Sequence, residues 1–189
     1  MRQKIIKAIS IALMVAGIIV FLYPDIAALK QQHDTENYID EFEHMYPDSQ
    51  QNETEEDNVQ DMPYQDLYNA ILEYNEKIYN DGQKDFKDAW CYTQTPVNID
   101  CLDNDLFGYI EIHSMDVKLP LYIGASEANM AKCATVMGQT SIPIGGINTN
   151  SVIAGHRGYG GSPYFKYIEN VKLGDYIYVT NPWETLTYQ

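Results

Sequence analysis

Three periods of apolar and polar residues follow one another along this chain, and each predicts a different element. Apolar residues run almost unbroken from Ile5 to Tyr23, with no charge between Ala8 and Tyr23. As a helix those 19 residues span about 28 Å, close to the hydrocarbon thickness of a bilayer. Arg2, Lys4 and Lys7 precede or enter the run. A basic flank keeps an N-terminus in the cytoplasm, so the expected arrangement is a single pass through the cell membrane with the main domain extracellular. A cleaved signal peptide is the alternative. The length of the run and the poor cleavage site at Ile26-Ala27-Ala28 favour an uncleaved anchor. Pro24 is expected to end this helix.

A second pattern begins after Pro63. Tyr64, Leu67, Tyr68, Ile71, Asn75, Ile78 and Tyr79 recur at spacings of three and four, which predicts a helix with one largely apolar face, closed by Asp81-Gly82. Such a face packs on the rest of the domain, or else forms a stripe for a partner. The third pattern is alternation. Val117, Leu119, Leu121 and Ile123 alternate with Lys118, Pro120 and Tyr122, predicting a strand buried on one face, with Pro120 at an edge or bulge. Phe107–Ile112, Tyr176–Thr180 and residues 185–189 read as further strands. Ser126 is placed to cap a short helix running to about Cys133. Strands joined by short turns predict a mainly β fold of barrel type.

Charge and composition narrow the function. The net charge of −15 argues against a nucleic-acid partner, because phosphate binding needs a basic face. Between His33 and Asp61 there is no Lys or Arg, and 11 of the 27 acidic residues fall there, predicting a solvated, partly helical or disordered connector. The carboxylates there lack the spacing of a calcium loop, and no cofactor or metal is expected. Cys91, Cys101 and Cys133 have neither disulfide-framework nor zinc-type spacing. Cys133, in an apolar helical context, reads as a small core residue.

The chain is organised around Thr140–Gly158. Its centre, Ser151-Val152-Ile153-Ala154, reads as a short buried strand, with Gly145 and Gly146 before it and Gly155 at its end. His156 and Arg157 follow at that end. A histidine held by a strand end and flanked by Gly155 and Gly158 can face a cleft, which suits a general acid or base. An ordinary loop histidine is the other reading, and Arg157 reads as a surface or loop-packing arginine. His113 falls in a turn and is expected to be solvent-exposed.

Thr140–Gly158 resembles the strand-and-histidine segment of the sortases, membrane-anchored cysteine transpeptidases of Gram-positive cell surfaces, and most nearly their pilin-polymerising class C. Gly108–Ile112, Val117–Ser126 and Leu173–Val179 carry the same resemblance in the family's order. Tyr23-Pro24 followed by Gln31-Gln32 is similar to the membrane exit of class C sortases. The resemblance implies the eight-stranded sortase β-barrel, of which this chain supplies the first part only. It divides the chain into residues 1–23, a cytoplasmic tip and transmembrane anchor; 24–62, an acidic extracellular connector; 63–106, a helix and a lid-like loop; and 107–189, a partial barrel. Asp88-Ala89-Trp90 matches the lid triplet of class C, so Asp88 and Trp90 are lid candidates, with Ala89 where the family carries proline.

The implied chemistry is transpeptidation. A cysteine thiolate attacks a threonine carbonyl in an LPXTG-like sorting signal of a surface protein or pilin, and an amine acceptor, a pilin lysine or cell-wall precursor, resolves the acyl-enzyme. His156 matches the family's acid–base histidine. The family's nucleophile follows its histidine, whereas all three cysteines here precede His156, and the only arginine from His156 onward is Arg157. The expectation is an N-terminal portion of a sortase, or an interrupted gene product, catalytically inactive as it stands. A membrane-anchored, non-catalytic binding or scaffold module with a degenerate sortase barrel is the alternative, and a hydrolase pairing His156 with an upstream cysteine is a third.

Overall fold

A computed structural model describes residues 2–47, 62–82, 92–158 and 164–189. Helix α1 spans Arg2–Met45, α2 Gln65–Asn80 and α3 Glu127–Lys132. The strands are β1 Leu106–Ile112, β2 Val117–Ile123, β3 Ala134–Val136, β4 Ile153–Ala154, β5 Ile177–Thr180 and β6 Thr185–Tyr188. Among the described residues they form one curled sheet in the order β4-β3-β2-β1-β5-β6, a half-barrel. All pairings are antiparallel except β2 with β3.

Two expectations about the N-terminal region need correction. Pro24 does not end the helix: α1 passes through it and continues to Met45. A proline forfeits one backbone hydrogen bond, and the apolar, alanine-rich turns around it carry the helix across that gap. The segment from His33 is helical to Met45, as the partly helical reading allowed, but it is not solvated on every side. Ile39, Phe42 and Tyr46 recur at spacings of three and four, and all three are buried. Phe42 meets the Tyr109 ring edge-on at 5.9 Å, and Glu43 forms an ion pair with Lys118, whose ammonium sits 4.4 Å from the Tyr109 ring centre. The acidic residues occupy the outer face and mask this stripe in the composition. Residues 48–61 lie outside the described part.

The sheet follows from its alternation. β1 and β2 pair from Ile112↔Val117 to Leu106↔Tyr122, with an irregularity between Leu106 and Gly108. Pro120 faces Tyr109 in β1, while β3 pairs only with Leu121–Ile123. Pro120 thus lies where β2 has no second neighbour, and its missing N–H costs no ladder bond. Gly108 is there for space: a Cβ would fall 1.9 Å from the Thr180 carbonyl oxygen on β5. The buried core draws Leu67 and Ile71 from α2, Leu121 and Ile123 from β2, and Val179 from β5. The central strand is shorter than its apolar run suggested. β4 contains only Ile153–Ala154, and both are half-buried rather than buried. Its outer edge has no strand partner among the described residues.

Gly108→Ala should destabilise the domain by about 3–5 kcal/mol, because backbone rather than a yielding side chain blocks the new methyl. The urea midpoint of the detergent-solubilised chain measures this. Gly17→Ala, where nothing lies within 4 Å of the added carbon, should leave it within about 0.5 kcal/mol.

Candidate active site

Residues 137–152 carry no regular ladder, so their backbone groups must find partners elsewhere. Buried side chains supply them. Asn75 of α2 donates from Nδ2 to the Ile142 carbonyl at 2.9 Å and accepts the Ile142 amide on Oδ1 at 2.8 Å. Asn181, in the β5–β6 turn, donates to the Pro143 carbonyl at 3.0 Å. Its Oδ1 accepts the amides of Trp183 and Glu184, which fixes the turn. Thr140 Oγ1 donates to the Met137 carbonyl at 2.8 Å and accepts the Val152 amide at 3.2 Å. Ser141 Oγ accepts the Asn150 amide at 3.1 Å. Asn181, Thr140 and Ser141 are all fully buried. This network delivers the chain to β4 in one register.

His156 leaves the end of β4 and is half-buried. Gly155 before it lets the Phe165 ring approach: a Cβ there would sit 2.7 Å from two ring carbons. The Phe165 amide donates to the His156 carbonyl at 3.0 Å. The imidazole meets the Tyr164 ring edge-to-face, with centroids 6.1 Å apart and planes at 79°. Tyr164 is itself pinned: it is buried, holds a left-handed φ of 42°, and donates its hydroxyl to the Lys132 carbonyl at 3.2 Å. Both faces of this corner are therefore rigid, while the imidazole keeps partial access to solvent. Such a group can pass a proton to or from a reactant in an adjoining cleft. An apolar groove of about 430 Å³ is lined by Ile110, Ile153, Phe165, Ile177 and Val179; His156 does not line it itself and adjoins it through Phe165, whose amide bonds the His156 carbonyl.

The other singled-out residues fall elsewhere. Arg157 is exposed and pairs with Glu169 at 2.8 Å, the surface arrangement expected of it. His113 lies in a turn, is exposed, and pairs with Glu111. Asp88, Trp90 and Cys91 lie outside the described residues. Cys101 is exposed. Cys133 is buried as anticipated, and burial pushes its thiol up to about 12. Burial likewise raises the Glu184 carboxyl, and burial with Glu184 nearby raises Tyr188. Among the described residues no three His, Cys, Asp or Glu side chains converge as metal ligands do. Sequence reasoning did not find Tyr164, Asn75 or Asn181 as positioning residues. An asparagine inside the apolar stripe of α2 was the available signal for Asn75.

Comparisons with known proteins place the fold. A Sortase domain model matches residues 110–189. Sortase C from Clostridium perfringens, solved with the C-terminal cell wall sorting motif, is 30% identical with a TM-score of 0.61, over 81% of this chain and 73% of that one. Sortase C1 from Streptococcus agalactiae is 29% identical with a TM-score of 0.61, over 81% of this chain and 74% of that one. No curated protein matches. The chain belongs to the sortase family, and its relatives place it with class C. It spans only 63% of the lid-mutant of the S. agalactiae enzyme.

At pH 8 a haloacetamide should label Cys101 readily and leave Cys133 essentially unmodified, since a thiol raised to about 12 stays protonated there and the thiolate is the nucleophile. Peptide mass mapping reads the outcome. Labelling of Cys133 at a comparable rate would revive it as a reactive thiol.

Proposed function

We propose that this chain contributes the anchor, the substrate-facing sheet and the acid–base histidine of a class C sortase-like cysteine transpeptidase. Its substrates would be surface proteins or pilins bearing LPXTG-like sorting signals, with an amine from a pilin lysine or cell-wall precursor as acceptor. One observation carries the reading: in a chain of this family, the half-buried His156 stands at the end of β4 against Tyr164 and is bonded through its carbonyl to Phe165, a residue that lines an apolar groove. The motif-bound relative supports the substrate class. In this role His156 protonates the departing amine after thiolate attack and takes a proton from the incoming amine. The apolar helix would hold the domain outside the membrane in a single pass. Asp88 and Trp90 would form part of a lid.

None of the three cysteines within these 189 residues stands where the family's nucleophile would. All three cysteines precede His156, and Cys133 is buried and protonated. The 189 residues alone should therefore form no acyl-enzyme.

Incubation with a sorting-signal peptide, followed by intact-mass analysis, should show no acyl adduct on this chain. Adduct formation would overturn the inactivity. In a chain that also carries the cysteine, His156→Ala should lower transpeptidation by about 10²–10⁴-fold, the usual contribution of a general acid–base group. Full activity of that variant would remove His156 from the mechanism.

A further inference from the structure

The apolar stripe that packs α1 on the sheet gives out while the helix continues. Ile39, Phe42 and Tyr46 are buried at spacings of three and four. Carried back at the same spacings, the stripe passes Thr35, Gln32 and Ala28. These small or polar side chains do not fill the space over the sheet, and a cleft of about 490 Å³ opens between α1 and β2. Its lining on the helix runs from Ala28 to Asp40, twelve residues or about 18 Å along the axis. That is the length of about five residues of extended chain.

The cleft is apolar on its sheet side and anionic where it meets water. Val117, Leu119, Cys133 and Tyr164 line it and are buried. Glu36 and Asp40 stand one turn apart on α1, and Asp116 lies in the turn before β2. All three carboxylates are exposed. Glu36 accepts a hydrogen bond from Gln32 at 3.0 Å, which leaves its charge intact. Among the described residues Lys118 is the one cation lining the cleft, and its ammonium is already held by Glu43 and the Tyr109 ring. No described cation pairs with Glu36, Asp40 or Asp116. Tyr164, part of the apolar lining, is also the ring that meets the His156 imidazole edge-to-face.

We propose that this cleft docks an extended, lysine-bearing segment of a partner protein, with the lysine stem along Val117, Leu119 and Tyr164 and its ammonium among Glu36, Asp40 and Asp116. Lysine joins a long apolar stem to a compact charge, which is the pairing the cleft offers. Three separate carboxylates surround a point charge better than they match the planar fork of an arginine. The length of the cleft fits a stretch of polypeptide rather than a free amine. Because Tyr164 is shared, an occupied cleft bears on the wall against which His156 packs. Docking does not require His156 to serve transpeptidation; under that reading the segment belongs to the surface protein or pilin brought to the site.

The test is an amide NMR titration of the full 189-residue chain in detergent micelles with an end-blocked, five-residue glycine–alanine peptide carrying a central lysine. The peptide should shift the Val117, Leu119 and Cys133 amides saturably, and the His156 imidazole resonances should move with them. Norleucine in place of the lysine should weaken binding at least about ten-fold, as should combined Glu36→Gln, Asp40→Asn and Asp116→Asn changes. Asparagine tolerates the left-handed φ of 53° at position 116, and unshifted Ile110 and Val179 amides report an intact sheet in the variant. The norleucine comparison needs no variant and decides the matter if the triple change disturbs folding. Equal binding of the norleucine peptide, shifts confined to other residues, or indifference to the carboxylate changes would overturn the proposal. Pentylamine binding as tightly as the peptide would overturn the polypeptide occupant. No acyl transfer enters the measurement, so its failure leaves the transpeptidase reading to the His156→Ala comparison.

Discussion

The amide side chains of Asn75 and Asn181 carry the constraint on which the site depends. Between β3 and β4 the chain has almost no ladder of its own, and its first part, through Ile144, runs largely through the interior. Every buried N–H and C=O there must still be paired, because an orphan costs on the order of 1–3 kcal/mol. Asn75 pairs both backbone groups of Ile142, much as a neighbouring strand would, and Asn181 takes the next carbonyl. The two asparagines flank this segment in the sequence, one on α2 before it and one in the β5–β6 turn after it. They join the helix, the irregular segment and the distal hairpin into one unit. The position of His156 is the end of that chain of restraints.

Helix α1 places two demands on one element. Its first half is apolar on every side and exposed, as a candidate membrane span is. Its second half is amphipathic and forms part of the domain core through Ile39 and Phe42. Continuity across Pro24 joins the two halves in one helix. The candidate membrane span is therefore continuous with a helix packed on the domain rather than joined to it by a loose leash.

Much of this was legible in the order of residues, for reasons that differ by element. The apolar face of α2 was plain because a period-3.6 pattern reports burial directly; β2 was legible as a strand, but not as one buried on a single face, since Pro120 and Tyr122 opposite its apolar positions are buried as well. Ser126 was plain because a capping serine acts locally, and its Oγ accepts the Asn129 amide as expected. The docking of α1 was hidden because glutamates and aspartates outnumber the three apolar residues that matter. The extent of β4 was hidden because an apolar run does not say how many of its backbone groups find a strand partner. Tyr164 was hidden because its role rests on a left-handed φ and a hydrogen bond to a residue 32 positions away, neither of which any local pattern encodes.

The most direct measurement is amide hydrogen exchange at Ile142, in the native chain and in Asn75→Ala. Side-chain capture by Asn75 predicts strong protection of the Ile142 amide, although it belongs to no strand. Its loss in the variant should speed exchange at Ile142 and Val152 while Ile110 and Leu121 stay protected within the sheet. Rapid exchange at Ile142 in the native chain, or exchange unchanged by the substitution, would contradict the claim that buried asparagines hold the segment leading to His156.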